Sequence, residues 1–180
     1  MLEPVSTNSA NPATLPATTA SAANSDSPSQ LDDSRYEAQK ALYDFHLSDP
    51  EDVHSAFVYI VNHIKALKEY GDYDNSRIVI VSHGNEIHAL ARLNEAAYPD
   101  IYPKLQELNE SGVHVRVCSN AARSRGYKID DFYNLITVVP AAVIDIAKWQ
   151  GQGYSYMLAG VQKKLTREDL LVRHPALQDS

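Results

Sequence analysis

The residue of this chain most suited to chemistry is Cys118, the only cysteine among its 180 residues. It closes a run from Val113 in which apolar and polar residues alternate, a pattern that predicts a strand packed on one face. A cysteine reacts as its thiolate, which nearby cations and helix N-termini favour. The predicted site around the thiol therefore includes the cap-forming and basic residues that follow it: Ser119, Asn120, Arg123 and Arg125.

A second predicted strand ends in residues that we expect to lie near the thiol. Residues 77–82 form a continuous, mostly β-branched run, typical of a strand covered on both faces, and His83, Gly84 and Asn85 end it. Because the carboxyl ends of parallel strands gather at one edge of a sheet, we expect His83 beside Cys118. His83 would donate a hydrogen bond to sulfur or shuttle a proton, and Gly84 would permit a close backbone approach.

Each of these residues also has a plainer interpretation. A free cysteine is well suited to be a small buried hydrophobic residue, and a histidine after a strand often bonds to loop backbone. Asn85 and Glu86 would more simply lie in a solvated loop. No metal site is predicted, because the spacing of His83 and His88 does not stack both rings on one helical face. No cofactor is predicted either, because no glycine-rich phosphate loop follows the first strand.

The remaining segments predict the elements that hold this site. A strand over 40–47 precedes a helix that starts at Asp49-Pro50 and ends at Gly71. A second helical region would bury Ile87, Leu90, Leu93 and Ala97. Pro99 and Pro103 are predicted to interrupt it, and the helix resumes over 101–109 before Ser111-Gly112. Strands over 135–139 and 154–158 flank a helix over 141–150 whose predicted inward residues are Val143, Ile146 and Ala147. Alternating strands and helices indicate an α/β fold with a mainly parallel sheet and helices on both sides.

Composition limits the classes of function. The formal net charge is −7 and the basic residues are scattered, which argues against nucleic acid as a partner. No apolar run reaches the length of a membrane span, and a lone cysteine excludes an intramolecular disulfide. No signal peptide is recognised at the N-terminus, so the cytoplasm is the expected compartment, or the periplasm if a leader has been removed.

Domain boundaries follow from composition as well. Residues 1–35 are dominated by small and polar side chains and are predicted to be a disordered, low-complexity segment. The α/β domain is expected over 36–160. A C-terminal helical tail is expected over 161–180, where Thr166-Arg167-Glu168-Asp169 is typical of a helix start.

The order of these landmarks resembles the DsrE/DsrF-like family, in particular its small YchN-type members. The resemblance is carried by Val81-Ser82-His83-Gly84, Val117-Cys118-Ser119-Asn120, Gly126-Tyr127, Ile136-Thr137-Val138-Val139-Pro140 and Gly153-Tyr154-Ser155-Tyr156. It covers about residues 40–158. The chain departs from the family pattern at Ala121-Ala122 and at Ala142, which are predicted to alter the pocket wall beside the cysteine.

The resemblance implies a three-layer α/β/α domain with a five-stranded parallel sheet, and a homo-oligomer, commonly a trimer or hexamer. It also implies a role in sulfur metabolism, with Cys118 accepting and passing on sulfane sulfur as a persulfide between donor and acceptor proteins. The numerous tyrosines suit either a subunit interface or core packing, and the sequence does not separate the two: Tyr98, Tyr102, Tyr133, Tyr154 and Tyr156. Two alternatives stay open, a non-catalytic oligomeric scaffold of the same fold and a small-molecule-binding α/β domain.

Overall fold

Five strands form one sheet in the computed structural model, which describes residues 28–162 and 164–174. In chain order the strands are β1 (Lys40–Phe45), β2 (Arg77–Ser82), β3 (Val113–Cys118), β4 (Ile136–Val139) and β5 (Ser155–Leu158). They lie in the order β4-β3-β2-β1-β5, and every neighbouring pair is parallel. The predicted five-stranded parallel sheet is therefore confirmed.

Helices connect the strands. They are α1 (Asp52–Tyr70), α2 (Ile87–Leu90), α3 (Ile101–Glu110), α4 (Ser119–Ser124), α5 (Ala142–Gly151) and α6 (Arg167–Arg173), with short 3₁₀ turns at Arg92–Asn94 and Ile129–Asp131. The Asp49 carboxylate accepts the Glu51 N–H at 2.9 Å in the turn before α1, and the helix itself begins at Asp52, slightly later than the predicted start at Asp49-Pro50. Thr166 and Asp169 form the expected reciprocal cap of α6. These elements all lie in one unit, Asp33–Ser180.

The two faces of the sheet differ in chemistry. Side chains alternate between the faces along each strand, so one face carries Tyr43, Ile80 and Val115 and packs on α1 and α3 in the larger apolar core. The opposite face, covered by α5, has a much smaller apolar cluster of Leu42, Val79, Val81, Cys118 and Ala142. The arrangement is the three-layer α/β/α architecture, and the thiol lies in its thinner apolar layer.

Two helix predictions were wrong in detail. Leu93 and Ala97 are exposed, because the segment after α2 becomes a 3₁₀ turn and does not present a continuous helical face. Pro103 does not interrupt α3 but lies in its first turn, where a backbone N–H has no intrahelical acceptor to lose.

The face that α5 turns to the sheet was predicted correctly only for Ile146, which packs against the smaller apolar cluster. Val143 is 72% exposed and Ala147 is exposed, whereas Ala142 and Asp145 are buried. The Asp145 carboxylate accepts two hydrogen bonds from Arg116 of β3, at 2.6 and 3.0 Å, and one from the Trp149 indole at 3.1 Å. Apolar periodicity gives the wrong buried face for this helix. Asp145 faces the sheet because it pairs with Arg116, and a buried carboxylate requires such a partner.

The prediction for the N-terminal segment falls mostly outside the described residues, which begin at residue 28. The last six residues of the predicted C-terminal tail also lie outside them. Among the residues that are described, no helix is long and apolar enough to cross a membrane.

Candidate functional site

Strand register brings the ends of β1, β2 and β3 to one edge of the sheet. Ser82, the last residue of β2, is in register with Phe45 of β1 and with Val117 of β3. His83 and Cys118 are the next residues along their strands, so they leave the sheet side by side at its carboxyl edge. The parallel register therefore places the two residues at the same edge of the sheet, where both line one cavity.

Cys118 is both the last residue of β3 and the cap of α4. Its sulfur accepts a hydrogen bond from the Ala121 N–H at 3.4 Å, so the thiol, and not Ser119 or Asn120, caps this helix. The residue is 5% exposed and packs against Val79 and Val81. The sulfur is therefore mostly buried, with one N–H directed at it.

A shallow cavity of about 390 Å³ opens beside Cys118. Among the described residues, its wall includes two groups that carry or can carry positive charge, His83 and Arg125, and no carboxylate. The remaining lining residues are small, polar or aliphatic: Asn120, Ala121, Ser124, Ala141, Ala142 and Val143. Of the three alanines that depart from the family pattern, Ala121 and Ala142 lie in the wall of this pocket, whereas Ala122 lines a neighbouring cavity. Such a cavity suits a small anionic group next to the sulfur.

His83 is held by a carboxylate that the sequence analysis missed. The His83 ring bonds through Nε2 to Asp44 Oδ1 at 2.7 Å, and Tyr156 donates its hydroxyl to Asp44 Oδ2 at 2.5 Å. Asp44 is 7% exposed in β1, and His46 stacks on His83 with ring centroids 4.6 Å apart. The chain offered one signal for this residue, a lone acid within an otherwise apolar strand, because a buried acid needs a partner.

The pair shifts the protonation of both partners. Although burial opposes it, hydrogen bonds from His83 and Tyr156 lower the pKa of Asp44 below its usual value. The hydrogen bond and the charge of Asp44 raise the pKa of His83 above 6.5, against the effect of burial and of Arg125. His83 therefore holds its proton to higher pH than a free histidine, while Asp44 stays ionised.

The loop that carries His83 is fixed by a buried glutamate. Glu86 is fully buried and accepts hydrogen bonds from Leu47 N–H at 2.9 Å, Gly84 N–H at 2.8 Å and the Ser82 hydroxyl at 2.5 Å. The expectation of a solvated Glu86 was wrong, because three donors compensate its burial. A Cβ on Gly84 would overlap the backbone of Leu47, so the predicted close backbone approach is present.

Asn85 and Arg125 join this loop to α4. Two Arg125 nitrogens bond to Asn85 Oδ1 at 3.1 and 3.2 Å, and a third bonds to the Ala121 carbonyl at 3.0 Å. Asn85 in turn donates to the Ser48 carbonyl at 2.8 Å. The guanidinium is thus held at the pocket wall by the loops after β1 and β2.

Other residues predicted for the site lie elsewhere. Ser119 and Arg123 line a neighbouring cavity with Tyr127, although Arg123 also donates to Asn120 Oδ1 at 2.5 Å. His88 bonds to the Tyr127 hydroxyl at 2.7 Å, away from the thiol. Within residues 28–162 and 164–174, no group of three or more His, Cys, Asp and Glu side chains is arranged to hold a metal ion.

The fold and the site define a class of protein: a parallel three-layer α/β domain with a thiol, an Asp–His pair and an arginine at the carboxyl edge of its sheet. The model of the DsrE/DsrF-like family matches residues 54–158. The chain therefore belongs to the DsrE/DsrF-like family, which confirms the resemblance found in the sequence.

Among solved structures, one of similar fold is a protein of unknown function, MTH1491, from Methanobacterium thermoautotrophicum. The similarity has a TM-score of 0.54 at 23% identity and covers 67% of this chain and 98% of that one. At this identity the similarity shows the fold alone. No curated protein matches the chain.

Gly84→Ala tests the close approach of the loops. The new methyl group would overlap backbone atoms of Leu47, so we expect the free energy of unfolding to fall by about 1–3 kcal/mol. Urea denaturation measures the loss. Gly151→Ala is the matched control, because a Cβ there meets nothing within 4 Å. Equal stabilities of the two variants would contradict the packing described.

His83→Gln tests the charge on the imidazole. Because the pKa of His83 is raised on folding, its protonation stabilises the protein fully below the unfolded value of 6.5, and this contribution is lost as the pH rises through the folded value. The variant keeps a donor for Asp44 but cannot titrate. We therefore expect its loss of stability, measured by urea denaturation, to be larger at about pH 5.5 than at about pH 9.

The wild type is the reference at each pH, so that the titration of groups that do not contact His83, such as the half-buried His63, cancels in the difference. A loss of stability that is the same at both pH values would show that His83 is not preferentially protonated in the folded state.

Proposed function

We propose that this protein is a sulfur carrier of sulfurtransferase type, which holds sulfane sulfur as a persulfide on Cys118 and passes it to a partner. The observation that carries the proposal is the shared pocket: Cys118 lines one cavity with Arg125 and with His83, which is bonded to the Asp44 carboxylate at 2.7 Å. Membership of the DsrE/DsrF-like family supports the same chemistry through the sulfur-transfer role that the sequence resemblance implies.

The transfer balances without an oxidant. His83 takes the proton of the Cys118 thiol, and the thiolate attacks the terminal sulfur of a donor persulfide, R–S–SH. A bond forms between Cys118 Sγ and that sulfur while the R–S bond to it breaks. The R–S⁻ group leaves and takes a proton from His83. The products are Cys118–S–SH and R–SH, and the acceptor step repeats the exchange with Cys118 as the leaving thiolate.

The charges of the pocket suit this cargo. A deprotonated persulfide is an anion, and among the described residues the wall beside the sulfur has the Arg125 guanidinium and His83 but no acid. The Ala121 N–H already donates to the sulfur, and such N–H groups and cations favour an anionic sulfur. The cavity of about 390 Å³ leaves room for an added sulfur atom and the end of a donor.

A structural role for the cysteine is the competing function, and one observation favours it. Cys118 is only 5% exposed and packs in the apolar cluster under α5, as an inert buried thiol does. On this alternative the protein is a non-catalytic scaffold, and its thiol reacts slowly with alkylating reagents. The polar wall of the pocket, which an inert cysteine does not need, favours the relay.

The relay is proposed to act as a homo-oligomer, a trimer or hexamer, in the cytoplasm. Large apolar side chains are exposed on α5 and β5, with Val143 at 72%, Ile144 at 58% and Leu158 at 66% exposure, as an uncovered interface presents them. The free thiol suits a reducing compartment. Donor and acceptor proteins are its other proposed partners.

The oligomer has its own test. Light scattering of the purified protein after size-exclusion chromatography should give a mass several times the 19.9 kDa of one chain. Val143→Lys should lower that mass, because it places a charge in an apolar contact. A monomeric wild type would contradict this part of the proposal.

The sulfur relay is tested by intact-mass spectrometry after incubation with polysulfide. We expect the wild type to gain the mass of one sulfur atom, because a thiolate attacks sulfane sulfur, and to lose it again on treatment with a reducing thiol. Cys118→Ser is the matched control and should gain nothing. A folded wild type that stays unmodified under the same conditions would refute the relay.

A further inference from the structure

We propose that Asp44 and Tyr156 are positioning residues that fix the tautomer and orientation of His83, so that Nδ1 of its ring is the atom that exchanges protons with Cys118. This inference rests on the proposed sulfur relay and deepens it, because it adds members to the site from β1 and β5. Neither residue lines the thiol pocket, so both would act through His83.

The carboxylate of Asp44 is held at both oxygens. Oδ1 is bonded to His83 Nε2 at 2.7 Å, and Oδ2 accepts the Tyr156 hydroxyl at 2.5 Å. An ionised carboxylate only accepts hydrogen bonds, so both partners are donors. The three residues belong to β1, the loop after β2, and β5, and the parallel register brings them together. With both oxygens engaged, rotation of the carboxylate is blocked.

This arrangement fixes which ring nitrogen is free. His83 Nε2 must carry a proton to donate to Asp44, so in the neutral ring Nδ1 is unprotonated and can accept one. Among the described residues, Asp44 is the one that forms a hydrogen bond with the His83 ring. The side chain of His83 is 24% exposed at the pocket, so Nδ1 is the nitrogen available for the proton of the thiol and, later, for the leaving thiolate.

The other charged groups near His83 have opposite effects on the pKa of its ring. Besides Asp44, the buried Glu86 carboxylate favours the protonated ring, whereas Arg125 disfavours it. His46 stacks on the His83 ring, and its charge acts on Asp44. Because Glu86 is already bonded to three other donors, Asp44 is the acid that contacts the ring directly.

A merely structural role for Asp44 would be to tie β1 to β5 and to the loop after β2. For that purpose an asparagine would serve, since its oxygen can accept from His83 and its amide can donate to the Tyr156 hydroxyl. Only the assistance to the imidazole requires the negative charge. The substitution Asp44→Asn therefore separates the two roles.

The experiment compares Asp44→Asn and Tyr156→Phe with the wild type. The rate of alkylation of Cys118 by iodoacetamide is measured across a range of pH. We expect Asp44→Asn to slow alkylation near neutral pH at least about threefold and to displace the pH profile. Without the carboxylate, His83 accepts the proton of the thiol less readily, and the rate of alkylation follows the thiolate fraction of Cys118. Tyr156→Phe should give a smaller change in the same direction, because it removes one hydrogen bond and keeps the charge.

Tyr73→Phe is the matched control. It removes a hydroxyl bonded to the Ser111 carbonyl at 2.8 Å, near the opposite edge of the sheet, and should leave the alkylation profile unchanged. A folded Asp44→Asn variant with the wild-type pH profile would overturn the proposal. If that variant does not fold, Tyr156→Phe decides: an unchanged profile overturns the proposal, and a displaced one supports it.

Sulfur uptake by the wild type distinguishes a failure of the sulfur relay from a failure of the positioning role. If the wild type takes up sulfur but Asp44→Asn leaves the alkylation profile unchanged, the positioning role fails and the relay stands. If alkylation responds to Asp44→Asn but the wild type takes up no sulfur, the positioning role stands and the relay fails.

Discussion

A carboxylate buried in a sheet must be paired, and the pairing of Asp44 is the constraint on which the candidate site depends. Asp44 is 7% exposed in β1, and its oxygens are satisfied by His83 from the loop after β2 and by Tyr156 from β5. The interaction fixes the imidazole beside the thiol pocket and joins the edge strand β5 to the site. The Asp44 carboxylate, which would be costly to bury without a partner, thus orients a residue of the candidate site.

The sheet can accommodate this buried pair because its two faces carry apolar clusters of different size. The face under α1 and α3 has the larger apolar core, so the α5 face can accommodate polar groups. On that face Arg116 pairs with Asp145, and Asp44 pairs with His83. Cys118 lies in the same layer, where an apolar surrounding strengthens each polar contact that reaches the sulfur.

Side-chain hydrogen bonds hold the loops at the carboxyl edge of the sheet to one another. Glu86 draws the loops after β1 and β2 together through three hydrogen bonds, and Gly84 allows their backbones to touch. Arg125 then links this pair of loops to α4 through Asn85. His83, Cys118 and Arg125 are each held by a hydrogen bond to a neighbour, so the fold fixes their positions at the pocket, as the proposed reaction would require.

The sequence by itself determined the parallel α/β fold and its strands, because hydrophobic periodicity is a local property of the chain. The strand ends predicted that His83 and Cys118 lie at one edge of the sheet, and the parallel register brings both residues to one cavity. The tertiary structure alone decided that Asp44 and Tyr156 join the site, that Glu86 is buried, and that α5 presents Asp145 instead of Val143 to the sheet. These contacts join residues far apart in the chain, and which polar groups satisfy one another depends on register and packing, which no local pattern records.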